Sequence, residues 1–138
     1  MSQTGKILAT YATANGLGER FANGPDGDIY FLAYSSPTAV VEKSTMTGNI
    51  TPYSLQSGAD PLDILLGPDH NLWISENGTS SLAKLTVGGQ LTEYTVGFSA
   101  APGAMTVGPD GNIWVVEGSA NQPYLHEVAG TLIGKFVY

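Results

Sequence analysis

Short apolar runs alternate with clusters of glycine, proline, asparagine and aspartate along the whole chain. The middle third shows the pattern most plainly. Residues 62–66 are apolar except for Asp63. Gly67-Pro-Asp-His-Asn71 follows, with Pro68 presetting φ and its neighbours tolerating turn conformations. Residues 72–76 then place Leu72 and Ile74 on one face and Trp73 and Ser75 on the other. A further strand is predicted over 82–87, a tight turn at Gly88-Gly89, and a last strand over 90–96. No stretch longer than ten residues keeps apolar positions at i, i+3 and i+4, so the pattern predicts an all-β protein with essentially no helix.

The four-strand unit repeats. Gly24-Pro-Asp-Gly-Asp-Ile-Tyr-Phe31 returns as Gly67-Pro-Asp-His-Asn-Leu-Trp-Ile74 and again as Gly108-Pro-Asp-Gly-Asn-Ile-Trp-Val115, at steps of 43 and 41 residues. A second element keeps phase with it: Thr4-Gly-Lys-Ile-Leu-Ala-Thr-Tyr11, Thr47-Gly-Asn-Ile-Thr-Pro-Tyr53, Gly88-Gly-Gln-Leu-Thr-Glu-Tyr94 and Ala129-Gly-Thr-Leu-Ile-Gly-Lys-Phe136. A period of about 40–45 residues with four strands per unit is the signature of a β-propeller. The aromatic residues Tyr30, Trp73 and Trp114 are expected to pack between neighbouring blades. The three inner strands of a blade occur three times, whereas the outer element occurs four times, near 7–11, 50–53, 91–94 and 132–136. The expected organisation is one half-propeller unit over 1–138. It has a leading outer strand at about 4–13 and four-stranded antiparallel blades at about 16–55, 61–96 and 103–138.

Gly108-Pro-Asp-Gly-Asn-Ile-Trp-Val-Val-Glu117 and Gly67-Pro-Asp-His-Asn-Leu-Trp-Ile-Ser-Glu76, with the partner element Gln90-Leu-Thr-Glu-Tyr94, resemble the repeat of the streptogramin lyase (virginiamycin B lyase-like) propellers. The resemblance covers nearly the whole chain. It implies six or seven blades per ring. It also implies a lyase chemistry in which histidines, acidic residues and a magnesium ion on the channel face remove a proton from the substrate. Fold carries over more readily than activity, because the repeat encodes blade packing.

Three blades would leave two apolar blade faces open, and large apolar patches mark interaction surfaces. Two copies would supply six blades about a two-fold axis, the simplest closed assembly. The leading strand would then add to the last blade of the partner by strand exchange, competing there with that blade's own 132–136 strand, which Gly134 weakens. A head-to-tail polymer is the open counterpart.

Hairpin turns alternate between the two ends of a blade, so the longer, irregular loops gather on one face around the channel, where binding sites form. The candidate residues there are Glu19, Arg20 and Asp63 opening the first strands, and Glu76 and Glu117 ending the second strands. No histidine stands among Glu19, Asp63 and Ala104 where the first strands open; His70 lies in a turn at the opposite end and His126 within a third strand. The recurrent glutamate reads as a structural acceptor. Asp26-Gly-Asp28 reads as a turn, lacking the further acids of a calcium loop. Neither a nucleophile elbow nor a phosphate-binding loop is present.

Charge narrows the partners. Acidic residues outnumber basic ones 12 to 5, for a net charge of −7, which repels nucleic acid and anionic membranes. With no cysteine, there is neither a disulfide frame nor a thiolate metal site. No signal peptide is visible, and soluble, cytoplasmic expression is expected. Two sequons, at Asn49 and Asn77, matter only in a eukaryotic secretory setting. The expectation is a self-assembling structural propeller unit, natural or engineered, acting as a homodimer without catalysis, cofactor or metal. The alternatives are a binding module for a small molecule, glycan or cation on the channel face, and a streptogramin-type C–O lyase using magnesium.

Overall fold

The structure is a computed structural model. It describes residues 5–13, 15–35, 38–95, 101–119 and 122–128, with the side chains of 17–19, 35, 119 and 122–128 left aside. Eleven strands and no helix are found among these residues.

The first sheet holds β1 (Leu17–Asn23), β2 (Ile29–Ser35), β3 (Thr38–Ser44) and β4 (Ile50–Ser54). The second holds β5 (Pro61–Leu66), β6 (Leu72–Glu76), β7 (Ser81–Leu85) and β8 (Leu91–Thr95). The third holds β9 (Ala101–Val107), β10 (Ile113–Ser119) and β11 (Gln122–Val128). Every sheet is an antiparallel meander in chain order, and β1, β5 and β9 are neighbours. The expected outer strand at 132–136 lies outside the described residues.

The repeated turn explains its own sequence. Asp69 Oδ1 accepts the N–H of Asn71 at 3.2 Å and the indole N–H of Trp73 at 3.0 Å. Asp110 does the same for Asn112 and Trp114, and Asp26 accepts the Tyr30 hydroxyl at 2.9 Å. One carboxylate therefore closes the turn and fixes the polar tip of the aromatic. The glycine opening the turn is needed for closeness: a Cβ on Gly24, Gly67 or Gly108 would overlap the ring of Tyr30, Trp73 or Trp114. At the fourth turn position Gly27 and Gly111 have φ of 84° and 78°, and His70 takes the same left-handed conformation at 58°. Asp26 and Asp28 pair with Lys43 Nζ at 2.6 and 3.0 Å.

The third strand of the second sheet is shorter than the 82–87 expected. Thr86 leaves the ladder to close the turn, taking the N–H of Gly89 on its carbonyl and that of Gln90 on its hydroxyl. Residues 5–13, where a leading outer strand is expected to pair with a second copy, form no strand within this chain. The outer edge of β3 is already occupied by β4, so the first sheet offers this segment no ladder.

Sheets meet face to face with a fixed polarity. Tyr30, Leu32 and Val41 of the first sheet pack on Ile64, Leu72, Ile74, Ala83 and Leu85 of the second. On the far side of the second sheet, Trp73 and Leu82 pack on Ile113 and Val115 of the third, with Leu65, Tyr94 and Met105 at the margin. Trp73 stacks on Tyr94 at 5.7 Å, and Lys84 Nζ lies 5.6 Å from both ring centres. Tyr30 and Trp73 of the repeat thus pack between sheets.

Candidate functional site

Each innermost strand is irregular at its opening. The β1–β2 register shifts between Gly18 and Phe21, the β5–β6 register between Pro61 and Asp63, and the β9–β10 register between Val115 and Glu117. Such bulges re-aim side chains where a strand meets a site. In the first sheet the bulge sets Arg20 at the mouth of a cleft of about 150 Å³, lined also by Leu32, Ala33, Tyr34, Asp60, Pro61 and Leu62. Asp60 holds a φ of 43°, pinned where its carbonyl accepts the N–H of Asn77 at 3.1 Å and the Ala59 carbonyl that of Gly78 at 2.9 Å. Strained non-glycine backbone of this kind persists where the surroundings over-determine it. The cleft is below the 300–1,000 Å³ of ordinary ligand pockets, so it suits one small polar group between a guanidinium and a carboxylate.

The other candidates are not gathered there. Asp63 joins two sheets: its Oδ1 accepts its neighbour Ile64's N–H at 3.0 Å, and its Oδ2 accepts that of Met105 on β9 at 2.7 Å. Glu76 is buried, and its Oε2 receives Gln56 Nε2 at 2.5 Å, Ser81 Oγ at 2.8 Å and Thr79 Oγ1 at 3.0 Å. Glu117 is likewise buried. The side chains of Glu19 and His126 lie outside the described residues.

Glu93 belongs with Glu76 and was missed. Glu76 pairs with Ser81 and Glu93 with Ala83, so strand alternation puts both acids on one sheet face. Burial, and then the neighbouring Glu76 carboxylate, push the Glu93 carboxyl up to about 7. Glu76 Oε1 and Glu93 Oε1 are buried without a hydrogen-bond partner, as is Oε2 of Glu42, whose Oε1 receives Asn15 Nδ2 at 2.7 Å. The alternation signal was present in the Gln90–Glu93 element. In the first sheet the position matching Glu76 is Ala33, and the acid stands instead on β3 as Glu42.

Both Asp63 oxygens and the Oε2 of Glu76 accept N–H or O–H donors, and no group of three histidine, cysteine or acidic side chains able to hold a metal gathers among the described residues. None of the described helices, there being none, is long and apolar enough to cross a membrane.

Residues 2–132 match the family model described as the virginiamycin B lyase family. The chain belongs to the virginiamycin B lyase family. Among solved structures, it is similar to virginiamycin B lyase from Staphylococcus aureus at 28% identity and a TM-score of 0.80, covering 92% of this chain and 43% of that one. A streptogramin B lyase structure is 33% identical with a TM-score of 0.75, covering 87% and 39%. A Bacteroides caccae protein of unknown function, 16% identical with a TM-score of 0.59 over 91% and 47%, shares the fold alone. No curated protein matches significantly. The chain spans less than half the length of these lyases. Membership of the virginiamycin B lyase family accounts for the all-β architecture of antiparallel sheets and for its propeller-like fold.

Proposed function

We propose that this chain is a structural propeller unit whose role is assembly: two copies join head to tail to complete a six-bladed ring, without catalysis of their own. One observation carries the reading. Phe21, Ile29 and Phe31 occupy the first-sheet positions of Ile64, Leu72 and Ile74, which the preceding sheet covers. Phe21 is 77% exposed where Ile64 is 4% exposed. With Thr13 and Arg20 these residues line an open apolar groove of about 350 Å³. The matching partner is the opposite kind of face, which the third sheet carries around half-buried Trp114. Trp73 already packs in that manner on Ile113 and Val115. A second copy therefore brings the complementary surface, and leaving so much apolar area in water is unfavourable by about 25 cal/mol per Å².

Light scattering after size exclusion tests this. A species of twice the 14.4 kDa chain mass supports the dimer; a monodisperse monomer overturns it. Completion of the ring by further blades of a longer chain would give that second result.

The lyase chemistry of the relatives is disfavoured by the engagement of Asp63 and Glu76 in packing bonds. Opening of a streptogramin ring by this chain with magnesium would sink the structural reading. The cleft between Arg20 and Asp60 favours a second role as a small binding module. A rise in melting temperature with millimolar amino acid, absent in Arg20→Ala, is its expected sign.

A further inference from the structure

The crossover from β4 to β5 is fastened to the β6–β7 loop at several points. The Asn77 N–H reaches the Asp60 carbonyl at 3.1 Å, and the Gly78 N–H reaches the Ala59 carbonyl at 2.9 Å. The two backbones approach so closely that a Cβ on Gly78 would overlap the Gly58 carbonyl. Each side of the seam holds a left-handed non-glycine residue, Asp60 at φ 43° and Ser80 at φ 52°. Strained residues of this kind cluster at clamps and switches. The two acids of the second sheet stand at the same seam. Gln56, on the crossover, extends its amide to Glu76 Oε2 at 2.5 Å and to Glu93 Oε2 at 3.4 Å. Thr79 of the loop and Ser81 of β7 close on the same Glu76 oxygen at 3.0 and 2.8 Å. The first sheet has the amide contact without the second acid: Asn15 reaches Glu42 at 2.7 Å, and Pro52 stands where the second sheet has Glu93.

We propose that Glu76 and Glu93 form a proton-operated latch: one proton held between the two carboxyls keeps the crossover 55–60 seated on the loop 77–80, and its loss lets the crossover lift and carry Asp60 away from Arg20. The two carboxyls lie within hydrogen-bond reach of each other, and the Oε1 of each is buried with no N–H or O–H donor. Two carboxylates in such contact repel and cannot both ionise without cost. Around the pair, β7 contributes Ser81 and Ala83, the loop Thr79, and the crossover Gln56 with Asp60 at its end. On the face of the first sheet that meets the second lie Tyr30, Lys43 and Tyr53, with Lys43 held by Asp26 and Asp28 and Arg20 at the cleft beside Asp60. Strands β6, β7 and β8 are locked in register, so the crossover is the part that can yield. Burial, and then the Glu76 carboxylate, hold the Glu93 carboxyl up at about 7. The latch is therefore closed at lower pH and opens as pH rises through about 7. Its effect on a ligand rests on the reading of the Arg20–Asp60 cleft as a binding module; the latch itself does not.

Hydrogen exchange of single amides, corrected for the intrinsic effect of pH, tests this in the full chain. Protection at Asn77 and Gly78 is expected to fall at least tenfold more between pH 6 and pH 8 than protection at Gly67 and Gly108, turn amides held at 2.8 Å by the carbonyls of Asn71 and Asn112. Glu93→Gln, which keeps the shape of the protonated acid, is expected to abolish the difference. A fall of the same size at all four amides, or one that persists in Glu93→Gln, overturns the latch. Should that variant fail to fold, Gln56→Leu is expected to show at pH 6 the low protection at Asn77 and Gly78 that the native chain shows at pH 8. Native protection in Gln56→Leu at pH 6 overturns it too. Millimolar glycine separates the two readings: pH-dependent protection without any thermal response to glycine supports the latch and removes the binding role of the cleft alone.

Discussion

The Asp63 carboxylate and the Met105 N–H meet at 2.7 Å across the seam between the second and third sheets. The bond joins the innermost strands β5 and β9, so it ties the second sheet to the third. Asp63→Ala leaves that N–H without its acceptor, and a lost bond to a charged group costs about 1.5–3 kcal/mol. Urea unfolding should show this loss, and Asp63→Asn, which keeps one acceptor oxygen, should recover part of it.

The turn glycines predict a graded response. At Gly67 an added methyl meets buried Trp73, held between two sheets, and Gly67→Ala is expected to cost about 1–3 kcal/mol as overpacking. At Gly108 the facing Trp114 is half-buried and has room to swing, so Gly108→Ala should cost less. Equal chemical-denaturation midpoints for the two variants would contradict this account.

His70 carries strain that its counterparts avoid. Its φ of 58° matches glycines in the other two turns, and its side chain is exposed. His70→Gly should stabilise the fold by about 1 kcal/mol, the usual scale of relief for a left-handed residue. The gain would appear as a higher melting temperature at neutral pH.

Glu93 sets a pH dependence. Burial, with the Glu76 carboxylate adding to it, raises its carboxyl from 4.5 to about 7, so the folded chain keeps a proton that the unfolded chain releases. That contribution to stability is complete below about pH 4.5 and is lost as pH rises through about 7. Glu93→Gln should flatten this decline. It should exceed the native chain's stability above pH 8 by roughly 1 kcal/mol, a figure reduced for solvent screening of a half-exposed group, and show no gain at pH 4.

The repeat made the strands of the second sheet readable nearly residue by residue, because Gly67, Pro68 and Asp69 mark a turn and Leu72 to Glu76 alternate behind it. The polar seam was less readable. Glu76 was visible as a recurrent acid, but its partner Glu93 replaces Pro52 of the preceding unit, and its proximity arises only once β6, β7 and β8 are laid in register. Glu42 is harder still, standing one strand away from the position it serves. Arg20 was legible as a charge opening an inner strand. Asp60 was not, because it enters the cleft through a backbone conformation rather than through a motif.

The fixed polarity of the faces has a consequence for how such a chain can change. Each sheet offers its Tyr or Trp face forward and a second apolar face backward, and meets only its neighbours. Duplicating one unit of 41 to 43 residues inserts a sheet that fits on both sides without altering any existing residue. Rings of different size are then reached by copying, and divergence can act afterwards on single positions such as Ala33 and Glu76, leaving the mould unchanged.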